Sequence, residues 1–349
     1  MWRTIGQSSI LALFENGLRT GNLAHAYLFV GPPHVGKTTL ALDLAQALNC
    51  QESNQPCGKC QSCLRIVNGK HADVTIIGLN HNSHKKGQAE TRTQTEISID
   101  EIRGIQRNAS LPPFEGKCKV FIIDGAEYLS LEAANCLLKI LEEPPPRVIL
   151  LLLAADEARL LPTVVSRCQL VELKPMSIVE VEKMLVNSHG VTGDKSRLLS
   201  RLSEGCLGWA LMASIDDIHL QQRTQRLSAL HPLLKASWEE RFNYVAQFES
   251  DRKLAQELIK LWLTWWRDIM LVKCDCQESI INVDSLPVIE EWAKALNLIE
   301  INDFIGCLQT SLDQISLNAN VRLVLEVIML NMPKKEIVGH GTVSMLCNQ

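Results

Sequence analysis

Some features are scarce or missing in this 349-residue sequence, and each absence excludes a class of protein. No apolar run reaches the roughly 18–20 residues that a membrane-spanning helix needs. The segment after Met1 is mixed in polarity, unlike the apolar core of a secretion signal. Charge of one sign is not in excess, because 35 Lys and Arg stand against 39 Asp and Glu, for a formal net charge of −4. We therefore expect a cytoplasmic protein without a membrane anchor, and a wholly basic DNA-binding chain is excluded.

What the sequence does contain is an ordinary globular composition, with 46% hydrophobic and 21% charged residues. This balance excludes intrinsic disorder, since such a chain can bury enough apolar surface to fold. At about 100–200 residues per domain, the length predicts two or three domains. Cysteine is unusually frequent, with twelve residues in the chain. Four of them crowd into 50–63, and without a secretion signal such a cluster favours a metal site over disulfides.

The first half of the chain alternates strands and helices. Short apolar runs predict five strands, at 25–31, 74–77, 119–124, 148–153 and 168–173. Helical spacing predicts helices between them, one of which begins near Ile99 with Asp100 as its N-cap. The alternation predicts an α/β fold in which helices cover a parallel sheet. The strand at 148–153 is so aliphatic that we expect it in the middle of the sheet, covered on both faces.

The second half is predicted to be helical, with domain boundaries near residues 175 and 215. The helical pattern runs to residue 332, and residues 333–349 are predicted to be a frayed tail. Trp262, Trp265 and Trp266 are predicted to pack in a helical core or against a partner, with a stacking platform for single-stranded DNA as the alternative. The polar stretch 78–94 is predicted to be a surface loop.

Residues 31–38 match the phosphate-binding pattern G-x-x-x-x-G-K-[ST], between a predicted strand and a predicted helix. In this pattern, glycines let backbone N–H groups surround a phosphate, Lys37 would reach the β- and γ-phosphates, and Thr38 would bind Mg²⁺. The strand at 119–124 ends in Asp124, which would hold the Mg²⁺ through water. A Gly-Pro turn before a helix is the alternative interpretation. The predicted nucleotide-binding residues are Gly31, Gly36, Lys37, Thr38, Thr39 and Asp124.

The cysteine cluster consists of Cys50, Cys57, Cys60 and Cys63, directly after the helix that follows the phosphate loop. Four thiolates at this spacing can form a tetrahedral shell around Zn²⁺. The alternative, a CxxC redox pair, leaves two thiols unexplained. Because four protein ligands close the shell, we predict a structural zinc that stabilises an insertion too small to build its own core.

Together these motifs resemble the AAA+ subunits of bacterial DNA polymerase III clamp loaders, a family that includes gamma/tau and delta prime. The resemblance covers roughly residues 1–332 and is carried by segments 5–7, 25–38, 135–145, 160–168 and 318–326. It implies an AAA+ domain at 1–175 with the zinc module at 50–63, a small helical lid at 176–215 and a helical collar at 216–332. The implied partners are the gamma/tau and delta subunits and, through the complex, the sliding clamp and primed DNA.

The same resemblance assigns a role to Arg167 in the sequence Ser166-Arg167-Cys168. In the family this motif carries an arginine finger, which projects into a neighbouring subunit's ATP site and stabilises charge on the γ-phosphate. Arg167 would then be catalytic in trans. The alternative is a surface arginine at a junction between a helix and a strand.

Three departures from the family pattern bear on whether the chain hydrolyses ATP. Gly125 stands where a motor subunit has glutamate, Ala155 where it has a polar sensor, and Gly208 where it has an arginine. Losing one group that stabilises a transition state costs about 10²–10³ in rate. The pattern favours a delta prime stator that binds ATP and Mg²⁺ with weak or no hydrolysis, within a DNA-directed DNA polymerase (nucleotidyltransferase) holoenzyme. The alternatives are a gamma/tau-like motor and a zinc-and-nucleotide module of another AAA+ machine.

Overall fold

The computed structural model describes residues 2–53, 55–79 and 96–334. Most of the predicted loop at 78–94, and the predicted tail from residue 335 onward, lie outside the described residues. The chain forms two compact units. The α/β unit comprises Met1–Lys183 and Ser203–Ala210, and the helical unit comprises Met184–Leu202 and the chain from Leu211 onward. The domain limits at 175 and 215 remain predictions.

A parallel sheet forms the centre of the α/β unit. Its strands are β1 (Ala26–Val30), β2 (Val74–Gly78), β3 (Lys119–Asp124), β4 (Val148–Ala154) and β5 (Gln169–Glu172). Within the described residues the sheet has five strands in the order β2-β3-β4-β1-β5, and every pairing is parallel. The predicted α/β fold with a five-stranded parallel sheet is confirmed.

Helices precede, connect and follow these strands. Those of the first half are α1 (Ser8–Thr20), α2 (Lys37–Asn49), α3 (Gln61–Val67), α4 (Ile99–Ala109), α5 (Leu131–Glu142) and α6 (Pro162–Val165). Those of the second half are α7 (Ile178–His189), α8 (Gly193–Leu202), α9 (Leu207–Ile215), α10 (Ile218–Leu233), α11 (Trp238–Ala246), α12 (Arg252–Lys273), α13 (Leu286–Ala295), α14 (Leu298–Ser316) and α15 (Val321–Asn331).

Strand β4 lies in the middle of the sheet, and all seven of its residues are buried. Because side chains alternate along a strand, Leu150 and Leu152 pack in the cluster that contains α4 and α5. Leu151 and Leu153 pack in the opposite cluster, which contains α1 and α2. The prediction that this strand is central and covered on both faces is confirmed.

Helix α4 starts at Ile99 as predicted, but its N-cap corrects one expectation. Its N-cap is Ser98, whereas Asp100 is already the second residue of the helix. Ser98 and Glu101 form a capping box, in which the Glu101 carboxylate accepts the Ser98 backbone N–H at 2.9 Å. Asp100 was expected to be the cap because aspartate is a common N-cap residue. In the capping box, each of the two side chains accepts a backbone N–H of the other residue, so two N–H groups at the helix start are satisfied, whereas a single N-cap satisfies one.

The helical unit has its own core, built around α12. Trp262 and Trp266 are fully buried and Trp265 is 3% exposed, so the prediction that they pack in a core is confirmed, and no face remains for stacking DNA bases. Trp266 meets Phe304 of α14 edge-on, with ring centroids 4.6 Å apart. In the part of the chain that the structure describes, no helix combines the length and the apolar character that crossing a membrane requires.

Candidate nucleotide and metal sites

The phosphate loop lies between the end of β1 and the start of α2. Gly36 caps α2 with a left-handed backbone (φ 107°), a conformation that a side chain would strain. The N–H groups of the first turn of α2 therefore face the loop without a side-chain cap. A helix N-terminus of this kind attracts a phosphate through its free N–H groups and its partial positive charge.

Lys37 is the first residue of α2, and its ammonium group folds back onto the loop. Its Nζ donates to the carbonyl oxygens of Gly31 at 2.6 Å and of Pro32 at 2.9 Å. Burial lowers the pKa of Lys37 below its ordinary value, and the negative charges of Glu127 and Asp124 act in the opposite direction. The lysine is thus held beside the loop, where a phosphate could replace the two carbonyls as its partner.

Thr38 and Asp124 meet across the site. The Thr38 hydroxyl donates to Oδ2 of Asp124 at 3.5 Å, a long contact at the end of β3. Thr39 follows in α2 with a half-buried side chain. A hydroxyl and a carboxylate side by side are hard oxygen donors, which Mg²⁺ prefers. The structure thus brings Lys37, Thr38 and Asp124 to one place beside the phosphate loop.

Glu127 joins this site, a contribution that the sequence did not reveal. Its Oε1 accepts the backbone N–H of Ala155 at 3.0 Å, and its charge is felt by Lys37. Its buried Oε2 has no hydrogen-bond partner among the residues described. Sequence spacing places Glu127 three residues beyond Asp124. The short helical turn at Ala126–Tyr128, which begins after Gly125, brings the carboxylate back toward the loop.

The three departures from the motor pattern have distinct structural settings. Ala155 directly follows the last residue of β4 and offers only a methyl group. Gly125 has a left-handed backbone (φ 82°), which disfavours any larger residue. Gly208 donates its N–H to the His34 carbonyl of the phosphate loop at 3.1 Å, and a Cβ at Gly208 would lie 2.6 Å from that oxygen. Two of the three positions therefore have little tolerance for the side chain that is missing.

The four cysteines of the predicted metal site converge. The Sγ atoms of Cys50, Cys57, Cys60 and Cys63 lie within 4.8 Å of one another, and those of Cys57 and Cys63 are 3.9 Å apart. Zn–S bonds of about 2.3 Å in a tetrahedron require sulfur atoms about 3.8 Å apart. The donor set and its spacing therefore fit Zn²⁺. All four ligands come from the protein, which is typical of a structural site.

Local backbone contacts prepare the cluster for a metal. The N–H groups of Lys59 and Cys60 donate to the Cys57 sulfur at 3.4 and 3.2 Å, and they lower the pKa of Cys57 to about 6. Burial raises the pKa of Cys63 to about 12. The Cys57 thiol therefore ionises readily, whereas the Cys63 thiol would need a nearby cation to stabilise its thiolate form. The Gln46 side chain of α2 donates to the Cys63 carbonyl at 2.8 Å, which connects the cysteine cluster to the helix that follows the phosphate loop.

Arg167 lies between α6 and β5, and its contacts with the described residues are to Glu142, Thr163 and Ser166 rather than to the phosphate loop. Its guanidinium forms an ion pair with Glu142 at 2.7 Å and donates to the carbonyl of Thr163 at 2.9 Å. Its side chain is 36% exposed. The arginine is accessible to another molecule but is not free to sample all directions.

The N-terminal segment is fixed by a residue that the sequence did not single out. Asp43 of α2 is fully buried and accepts the backbone N–H groups of Arg3 and Thr4, each at 2.8 Å. It also accepts Arg3 Nε and the Thr4 hydroxyl at 2.8 Å. Gln7 then reaches the Lys174 carbonyl at 2.7 Å. The segment is thereby held against the helix that starts at the phosphate loop.

Family models agree with this architecture. One described as "DNA polymerase III, delta subunit" matches residues 6–177, and one described as "DNA polymerase III, delta subunit, C terminal" matches residues 218–334. Delta prime of Bacillus subtilis strain 168 is 27% identical over 328 residues, covering 93% of this chain and 95% of that protein. A Thermotoga maritima structure described as a gamma subunit-related protein aligns with a TM-score of 0.50 and 19% identity over 92% of this chain and 99% of that one, a likeness of fold.

Tau subunits are also similar over part of the chain. Tau of Escherichia coli K12 is 35% identical over 236 residues, which cover 65% of this chain but 34% of tau. The chain thus spans about a third of the length of the tau relatives that it matches. The five-stranded parallel sheet, the phosphate loop and the helical second half together give the chain an AAA+ fold. The chain belongs to the family of DNA polymerase III clamp-loader subunits.

Proposed function

We propose that this chain is the delta prime stator of the clamp loader, which places the sliding clamp on primed DNA during replication. Its partners are the gamma/tau and delta subunits, and it meets the clamp and the DNA through the assembled complex. The observation that carries this proposal is an accessible, oriented arginine, Arg167, on a chain whose own phosphate site lacks side chains at Gly125 and Gly208. A subunit of this kind serves a neighbour's ATP site rather than its own.

The energetic argument favours weak hydrolysis by the chain itself. Each missing transition-state group lowers the rate by about 10²–10³. An arginine finger supplied in trans contributes about 10³–10⁵ to the partner's rate. Arg167 is therefore the one catalytic residue in the proposal, acting in trans, while Gly31, Gly36, Lys37, Thr38, Thr39 and Asp124 bind ATP and Mg²⁺.

Zinc has a structural role in this proposal. Cys50, Cys57, Cys60 and Cys63 hold one Zn²⁺, which stabilises the insertion at 50–63 and takes no part in ATP chemistry. The support for this assignment is the convergence of four sulfur atoms at a spacing that fits tetrahedral zinc. The domain limits 1–175, 176–215 and 216–332 belong to the same proposal.

A gamma/tau-like motor is the second candidate. It is favoured by the assembled group of Lys37, Thr38 and Asp124 and by the carboxylate of Glu127 near the lysine. Steady-state ATP turnover by the isolated chain separates the two functions. Turnover that Lys37→Ala abolishes supports the motor, whereas turnover near background supports the stator.

The stator proposal is tested by Arg167→Ala in the reconstituted complex, with the exposed Arg159→Ala as the matched control. We expect unchanged affinity of the isolated chain for Mg·ATP, because Arg167 makes its contacts away from the phosphate loop. ATP hydrolysis at the neighbouring subunit's site should slow by about 10³-fold or more. The complex should therefore lose the part of its ATP turnover that this site contributes. Equal ATPase rates for the wild-type and Arg167→Ala complexes would refute the arginine-finger role.

A further inference from the structure

Arg167 forms an ion pair with Glu142, and two further groups beside it hold the same guanidinium in place. Glu142 Oε1 lies 2.7 Å from one terminal nitrogen of Arg167, and the other terminal nitrogen donates to the Thr163 carbonyl at 2.9 Å and contacts the Ser166 hydroxyl at 3.4 Å. Its Nε–H makes no hydrogen bond with the described residues. The guanidinium is held on two sides, while its Nε–H stays available to an incoming acceptor.

The position of Glu142 is not explained by the stability of α5. Glu142 is the last residue of the helix, where the helix dipole presents partial negative charge. A carboxylate there is repelled by the free carbonyl groups, and a basic residue is the favoured choice. The side chain is also half exposed, so it fills no core space. Its partner Arg167 is the favourable contact that the structure gives this carboxylate.

We propose that Glu142 is a positioning residue for Arg167, which holds the guanidinium in the orientation it needs before a neighbouring subunit docks. This inference rests on the proposed arginine-finger function. An arginine side chain has many rotamers, and fixing it only at the moment of docking carries an entropic cost. Carboxylate and phosphate oxygens accept the same guanidinium N–H groups. Glu142 therefore keeps Arg167 in a geometry suited to an oxyanion.

The test compares reconstituted complexes that contain wild-type chain, Glu142→Gln, Glu142→Asp or Glu143→Gln. Glu143 is the matched control, because it is the next residue and is also exposed at the same helix end. Small errors in the placement of a catalytic group can cost up to about 100-fold in rate, so we expect Glu142→Gln to lower kcat at the adjoining site about tenfold. KM for ATP and assembly of the complex should not change. Glu142→Asp keeps the charge but shortens the side chain, so its kcat should lie between those of the wild type and Glu142→Gln.

A double-mutant cycle with Arg167→Ala tests whether the effect of Glu142→Gln on kcat depends on Arg167. If Glu142 acts through Arg167, Glu142→Gln has no further effect once the arginine is gone. The inference is overturned if Glu142→Gln matches or exceeds the wild-type rate, if Glu143→Gln lowers the rate as much, or if the effect persists without Arg167. Failure of the proposed function is distinct, because in that case Arg167→Ala alone leaves the rate unchanged.

Discussion

Arg241 of α11 is fully buried, so its positive charge lies in the interior of the helical unit. Its Nε and one terminal nitrogen donate to the carbonyls of Leu233 and Leu234 at 2.8 and 3.1 Å. The other terminal nitrogen donates to the carbonyls of Met329 and Met332 at 3.0 and 3.1 Å. Replacing this arginine with methionine keeps the apolar length of the side chain and removes all four bonds.

The size of the effect follows from the four acceptors. They lie at the C-terminal ends of α10 and α15, where carbonyls have no partner within the helix. A hydrogen bond to a charged group contributes about 1.5–3 kcal/mol, but such contributions do not add for groups that share one site. A buried acceptor left without its donor costs about 1–3 kcal/mol, and the substitution leaves four such carbonyls at one site. We therefore expect Arg241→Met to lower the free energy of unfolding of the helical unit by about 3–5 kcal/mol.

Urea unfolding of the full chain measures this change by tryptophan fluorescence. Most tryptophans of the chain report on the helical unit, namely Trp238, Trp262, Trp265, Trp266 and Trp292. Arg322→Met is the control, because Arg322 forms exposed ion pairs with Glu249 and Glu326 and should barely move the midpoint. An Arg241→Met midpoint equal to that of wild type would show that the four carbonyls find other partners, contrary to this reasoning.

The cysteine cluster and a buried carboxylate give two further predictions. Metal analysis should find one zinc per chain, and Cys60→Ser should lose it; zinc retained by the variant contradicts the ligand assignment. Asp73 accepts N–H groups of Phe114, Glu115 and Gly116; burial alone would raise its pKa, but these bonds hold it below the ordinary value. A lowered folded pKa gives stability that is present above the unfolded pKa, about 3.9, and lost as pH falls through the folded pKa. Asp73→Asn should therefore lower the unfolding midpoint at pH 7, and the difference should shrink below about pH 4; a constant difference contradicts the role of the charge.

Exposed residues of the same type serve as controls for both predictions. Cys274→Ser should retain the zinc, because Cys274 is exposed and lies outside the cluster. Asp100→Asn should leave the pH profile of unfolding near that of wild type, since Asp100 is exposed and is not the N-cap of α4. A change as large as that of the test variant would point to a general effect of the substitution.

The sheet and its order of elements were predictable because each strand is a short apolar run with its own flanking signals. The phosphate loop and the convergence of the four cysteines were also predictable, since the residues of each motif lie close together in sequence and their spacing is restrictive. The helix start near Ile99 was correct, but the predicted N-cap of α4 was wrong by two residues, because both Ser98 and Asp100 are good N-cap types. Only the reciprocal bond to Glu101 decides between them.

Contacts between distant polar residues were not predictable. Asp43 and Arg241 are satisfied by backbone groups far along the chain, and no sequence pattern marks such acceptors or donors. Glu127 returns to the phosphate site through a single short turn whose direction spacing alone does not give. The pairing of Arg167 with Glu142 likewise depends on how α5 and α6 are brought together in the fold.

The contact between Gly208 and His34 also limits how this protein can change over evolutionary time. An arginine introduced at Gly208 would bring its Cβ to 2.6 Å from the backbone oxygen of His34, so the phosphate loop itself would have to shift. Adding the arginine that the motor pattern has at this position would then disturb the phosphate loop itself. A single substitution therefore cannot supply the arginine; the two backbones at Gly208 and His34 would have to move apart as well.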